Sequence, residues 1–171
     1  MTRFSLIQKY TRGVSRGTTT TVELAPGAVL RAHHTEHVTR PIGDVFAFLA
    51  DGRNEPSWRS DVIITRRLSG SGVGAIYARR MRVRPGGRVI ASDFRITRCE
   101  EPTRLDFEVI AGRVRPTGSF ILRDTGSDST DVTFTMELMP RGLMVLVRSV
   151  LNRRIRAQVA SLGNLPTALE A

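Results

Sequence analysis

From Asp131 to Leu138 apolar and polar residues alternate without a break. Val132, Phe134, Met136 and Leu138 fall on one face, and Asp131, Thr133, Thr135 and Glu137 on the other. Successive side chains of a strand point to opposite faces, so this stretch predicts a strand with one dry and one wet side. That is the mark of an antiparallel sheet covered on one face. Similar patterning predicts strands at Arg31–Thr39, Val62–Leu68, Val73–Val83, Arg88–Arg98, Arg104–Ile110 and, less cleanly, Val114–Arg123. Turn residues separate them at Ser69-Gly70-Ser71-Gly72, Pro85-Gly86-Gly87, Glu101-Pro102-Thr103 and Asp124–Ser129.

Two stretches follow a helical period instead. Pro41 suits the first turn of a helix, and Val45, Phe46, Phe48 and Leu49 follow at helical spacing. Asp51-Gly52 breaks that helix, and Glu55-Pro56-Ser57-Trp58 starts a second short turn. After Pro140, the residues Met144, Val147, Leu151, Ile155, Val159 and Leu162 step by three or four. They predict an amphipathic helix of about five turns, ended by Pro166. The order is strand, two short helices, six strands, long helix. This is an α+β class with segregated elements, in which the last helix covers the dry face of the sheet.

Length and composition narrow the picture little. A chain of 171 residues suits one domain with a real core. Residues 1–30 differ from the rest, with a polar run at Thr18–Thr21 and a turn signal at Pro26-Gly27. They read as an N-terminal extension: a mobile segment, an extra edge strand, or a matter of start-site choice. No apolar run is long enough to span a bilayer. Met1–Tyr10 lacks the apolar run and cleavage site of a secretory signal. Cys99 has no partner for a disulfide, and a reducing cytoplasm is the expected location.

The net charge of +10 raises nucleic acid or an acidic surface as a partner. Lys9 is the one lysine, the arginines are spread from Arg3 to Arg156, and no recognition motif accompanies them, so no nucleic acid is expected. Arg148, Arg153, Arg154 and Arg156 would mark an acidic partner only if they formed one exposed patch; otherwise they are a solvated helix face. The histidines His33, His34 and His37 share one strand. They lack the Cys or distant His that a zinc site needs, and solvated strand histidines are expected, with no metal. No Gly-rich phosphate loop or nucleophile–base pair is visible, so no cofactor is expected.

Four local patterns, in order, give the chain a family resemblance. Val38, Pro41, Val45-Phe46 and Trp58 form the first. Gly70-Ser71-Gly72-Val73-Gly74 is the second, and Pro102 with Leu105-Asp106-Phe107 the third. The fourth is Asp131-Val132-Thr133-Phe134-Thr135-Met136-Glu137, followed by Pro140-Arg141-Gly142-Leu143. Over residues 32–169 the chain resembles the START-like, helix-grip (SRPBCC) superfamily, and within it the polyketide cyclase/dehydrase-like branch. The resemblance implies a single domain over 31–171. In it, a sheet of about seven strands grips the C-terminal helix around an apolar cavity. It implies a hydrophobic small molecule such as a lipid, polyketide or aromatic metabolite as ligand, and leaves open whether any reaction is catalysed.

The alternation nominates the lining. Tyr77, Arg79 and Met81 share a face, as do Ser92, Phe94 and Ile90, then Phe107 and Val109, then Phe134 and Met136. Met144, Val147, Leu151 and Ile155 face them from the helix, with Phe48 and Trp58 from the short helical turns. For each of these, plain core packing is the competing expectation. An inward Arg79 would need a carboxylate, backbone carbonyls or an acidic headgroup. A register shifted by one, with Ile76, Ala78, Arg80 and Arg82 inward, stays open. Tyr77 and Arg79 are also the candidate catalytic pair of a cyclase or dehydratase, polarising a carbonyl. The expected function is therefore binding of a hydrophobic small molecule. The alternatives are such a cyclase and a protein that binds an acidic partner through its basic surface. A homodimer is left open.

Overall fold

The chain starts its first helix at Pro41, which has no N–H to donate. The Pro41 carbonyl accepts the N–H groups of Asp44 (3.1 Å) and Val45 (3.2 Å), which starts α1 (Ile42–Ala50). Asp51 ends it. Its carboxylate accepts the N–H of Arg53 at 3.1 Å and turns the chain into a 3-10 turn, Gly52–Asn54. Then comes α2 (Glu55–Trp58). This pair of short helices separates β1 (Leu30–Val38) from the remaining strands. Those are β2 (Val62–Ser69), β3 (Ile76–Val83), β4 (Arg88–Ala91), β5 (Phe94–Glu100), β6 (Arg104–Val109), β7 (Thr117–Gly126) and β8 (Ser129–Leu138). The computed structural model describes residues 29–83, 86–140 and 142–170. Residues 1–28 of the predicted extension, Pro85 of the predicted hairpin and Arg141 lie outside them.

The sheet is antiparallel throughout, in the order β1-β8-β7-β6-β5-β3-β2, with β4 also on β3. The predicted strand Arg88–Arg98 is thus two pieces of one position. Arg80–Val83 of β3 pair with β4, and Ile76 and Tyr77 pair with β5. Between the pieces, Asp93 turns its carboxylate back to accept the Arg79 N–H at 3.0 Å. The break changes one predicted face: Ser92 and Phe94 are buried, but Ile90 is exposed. The fold is the curled antiparallel sheet of the helix-grip type, with seven strand positions, two short helices after the first strand, and a C-terminal helix.

That helix differs in detail from the prediction. Gly142–Val147 is a 3-10 turn, and the α-helix α3 runs over Arg148–Ala160. A glycine and the β-branched Val145 and Val147 are poor helix formers, and Val147 offers no capping side chain. A second 3-10 turn, Ser161–Asn164, leads into α4 (Leu165–Glu170). Pro166 does not end a helix. It sits in the first turn of α4, where a missing N–H costs nothing. Leu151, Ile155, Val159 and Leu162 are buried as the stripe predicts, and α3 lies against β1 and β8.

The dry faces of the strands meet α1, α2 and α3 in one core. Gly118 on β7 shows how closely it packs. It stands opposite Phe107 of β6, and a Cβ built there would fall 2.3 Å from the Phe107 ring. Gly118→Ala is expected to cost about 1–3 kcal/mol through overpacking, read from urea denaturation. An unchanged midpoint would mean that the ring has room to turn away.

Candidate functional site

Aromatic rings from five strands and one helix form a continuous array on the buried face of the sheet. Phe120 and Phe134 stack with centroids 4.4 Å apart. Trp58 of α2 meets both edge-on, at 6.0 and 6.1 Å. Phe107 tilts against both, at 6.1 and 6.3 Å. Phe94 meets Phe107 at 5.6 Å, and Tyr77 stacks on Phe94 at 5.0 Å. These pairings follow from the strand registers, which place the rings of neighbouring strands side by side.

Within this apolar surface lies a buried ionic cluster. Arg79 is 1% exposed and Arg59 0%. Both guanidinium groups converge on one carboxylate, that of Glu55, which is 8% exposed. Arg79 Nη1 donates to Glu55 Oε1 at 2.7 Å, and Arg59 Nη1 donates to the same oxygen at 3.0 Å. The Thr65 hydroxyl donates to Glu55 Oε2 at 3.3 Å. The rest of Arg79 is satisfied by Ser92, in the break after β4. Its Nε donates to the Ser92 carbonyl and its Nη2 to the Ser92 hydroxyl, both at 3.1 Å. Its guanidinium lies 4.7 Å from the Phe94 ring centroid, at cation–π distance. Burial pulls the Arg79 pKa below the ordinary arginine value, and the Glu55 charge pulls it back. At the rim, Asp51 is held below the usual carboxylate range by its hydrogen bonds from Arg53.

Of the two open registers of β3, the structure takes the one with Tyr77, Arg79 and Met81 inward. Trp58, Ser92, Phe94, Phe107, Val109, Phe134, Met136, Leu151 and Ile155 are buried with them. Phe48 and Met144 are half-buried against the same core. Val147 is not on the inner face; it is 48% exposed, because the turn that carries it is not α-helical. The Tyr77 hydroxyl donates to the Ala50 carbonyl at 3.4 Å. Sequence reasoning missed Glu55 and Arg59. Their signal was the i, i+4 spacing of opposite charges around Trp58.

The remaining candidates fall outside the cluster. Arg153, Arg154 and Arg156 are exposed on α3, and Arg148 is half-buried. His34 is buried rather than solvated and pairs with Glu36 at 3.2 Å; His37 pairs with Asp131 at 2.8 Å. Among the described residues no three His, Cys, Asp or Glu side chains gather as a metal site. No described helix is long and apolar enough to cross a membrane. Two open concavities are present, and neither is lined by α3. One, of about 530 Å³, is lined by Arg53 and by Thr65 to Gly70 along β2. The other, of about 280 Å³, is formed mainly by polar side chains such as Thr97, Asp106 and Thr135. Under α3 the rings are in contact with one another.

Solved structures share this architecture. A STAR-related lipid transfer protein from Xanthomonas axonopodis is 16% identical, with a TM-score of 0.69 over 94% of this chain and 97% of that one. The Zhui aromatase/cyclase from Streptomyces sp. R1128 is 14% identical, with a TM-score of 0.64 over 82% of this chain and 93% of that one. A START superfamily protein from Mycobacterium smegmatis is 14% identical, with a TM-score of 0.63 over 84% and 99%. At such identities the likeness establishes the fold alone. No curated protein matches the chain. The sequence model of one family, described as polyketide cyclase / dehydrase and lipid transport, matches residues 29–170. That span takes in every strand and helix described above, and the chain belongs to that family.

Proposed function

We propose that the chain binds a hydrophobic small molecule between α3 and the buried face of the sheet, and acts as a carrier or sensor. The observation that carries this reading is the approach to α3. Val145, Leu146, Val147 and Val150 are exposed, Leu146 at 81%, while Met144 among them packs on the core. Met139, just before Pro140, is exposed as well. A run of apolar side chains left in water marks a surface that meets an apolar partner or cargo. Met144 ties this exposed run to the same core that holds the aromatic array.

The engagement of the polar groups favours binding over catalysis. Arg79 gives its side-chain donors to Glu55 and Ser92, and Tyr77 is turned to Ala50. Neither is offered to a substrate carbonyl, as polarisation would require. The family's description includes lipid transport as well as cyclisation, which agrees with a carrier.

Native mass spectrometry of the purified protein, with organic extraction of whatever accompanies it, tests the reading. A stoichiometric apolar compound is expected. A protein that carries nothing, and whose thermal midpoint does not move with fatty acids, sterols or polyphenols, would overturn it.

A further inference from the structure

Arg59 heads the fully buried side chains by size, yet only one of its nitrogens is used in a hydrogen bond. Nε and Nη2 are buried and have no hydrogen-bond partner. These two donors lie on one edge of the planar guanidinium, side by side. Asp61 Oδ1 approaches Nε at 3.6 Å, which is an ion-pair distance but too long for a hydrogen bond. The guanidinium carbon is 5.7 Å from the Trp58 ring centroid and 5.9 Å from that of Phe134. The guanidinium thus lies beside the aromatic array, with Nε toward Asp61 and Nη2 unfilled.

Buried donors without an acceptor are costly, and in native proteins they are rare enough to need an explanation. Charge points the same way. Two guanidinium groups share hydrogen bonds to one carboxylate, Glu55, and the second carboxylate near them makes no hydrogen bond to either. Asp61 is the nearest further counter-charge, but 29% of its side chain is exposed and it can turn to water. Two parallel N–H donors on a rigid fork match the two oxygens of a carboxylate. A phosphate would bring a larger charge into the same apolar surroundings, at a larger desolvation cost.

We infer that Arg59 anchors the carboxylate of an apolar acid, whose hydrocarbon or ring part packs among Trp58, Phe120 and Phe134. Asp61 holds the place loosely and gives way when the acid enters. The inference rests on the interior being the binding site proposed above, and it narrows the cargo to carboxylic acids.

The test compares matched probes that differ only in the headgroup: dodecanoate with dodecanol, and naphthoate with naphthol. Affinities are measured by calorimetry on the wild type, Arg59→Gln and Asp61→Asn. In the wild type each acid is expected to bind at least about tenfold more tightly than its alcohol, the ratio that a charged bidentate hydrogen bond provides. Arg59→Gln is expected to abolish that preference while the alcohols still bind. Asp61→Asn, which leaves the arginine in place and removes its competitor, is expected to strengthen acid binding. It also keeps the test open if Arg59→Gln fails to fold. Equal binding of acid and alcohol to the wild type would overturn the anchor and leave the hydrophobic site standing; it is the result expected if a trapped water satisfies the edge. An acid preference that survives in Arg59→Gln, or acid binding unmoved in Asp61→Asn, would also overturn it. Binding of none of the four probes would overturn the anchor together with the binding reading on which it rests.

Discussion

Glu55→Gln is expected to lower the stability of the fold by about 3–5 kcal/mol, the cost of leaving buried charges without their partner. The carboxylate accepts hydrogen bonds from both guanidinium groups and from the Thr65 hydroxyl. Glutamine keeps the shape and one acceptor oxygen but removes the charge, so Arg59 and Arg79 would repel each other in an apolar interior. Urea denaturation reads the loss directly, with the slope of the transition expected to stay unchanged. The converse replacement distinguishes structure from function. Substituting Glu55→Leu, Arg59→Met and Arg79→Met together is expected to recover most of the loss, because a buried ion cluster is seldom more stabilising than well-packed apolar residues. A single Glu55→Gln variant as stable as the wild type would mean that water reaches the cluster and screens it.

The cluster also marks where sequence reasoning stopped. The strands were legible because their inner and outer faces differ in kind, as at Val132, Phe134, Met136 and Leu138 against Asp131, Thr133, Thr135 and Glu137. On β3 both faces carry arginine, and alternation cannot choose between them. The choice is made by Glu55, which reaches Arg79 from 24 residues earlier in the chain. Arg59 was invisible for another reason. It follows a helix of four residues, too short for any period to say which way its side chain points. The C-terminal stripe was read correctly where it packs on β1 and β8, and wrongly at Val147. There the apolar spacing continues, but the glycine and β-branched residues do not hold an α-helix.

Phe134→Ala is the second large effect, an expected loss of about 3–5 kcal/mol. Phe134 is fully buried; it stacks on Phe120, meets Trp58 and Phe107, and lies near the Arg59 guanidinium. Removing the ring deletes contacts on every side, and the surrounding strands are hydrogen-bonded and free to close only in part. Thermal and chemical denaturation measure the cost. If the interior accepts apolar cargo, the variant is also expected to gain more thermal stability than the wild type from a small aromatic compound, because the space left behind is apolar and dry. A loss below about 1 kcal/mol would mean that the array collapses into the gap, contrary to the close packing seen at Gly118.

The position of β1 has a consequence in time as well as in space. Its partner is β8, with Leu30 opposite Leu138 and Val38 opposite Thr130, so almost the whole domain separates the two strands that must pair. During synthesis β1 emerges first of the described strands and its partner last, and α3, which packs on both, emerges later still. Such long-range pairing makes for slow folding. In the interval β1 presents an open edge, with its apolar residues uncovered, to whatever chaperone or nascent chain is near. Closure of the β1–β8 pair is therefore the step that turns a partly folded meander into a finished domain.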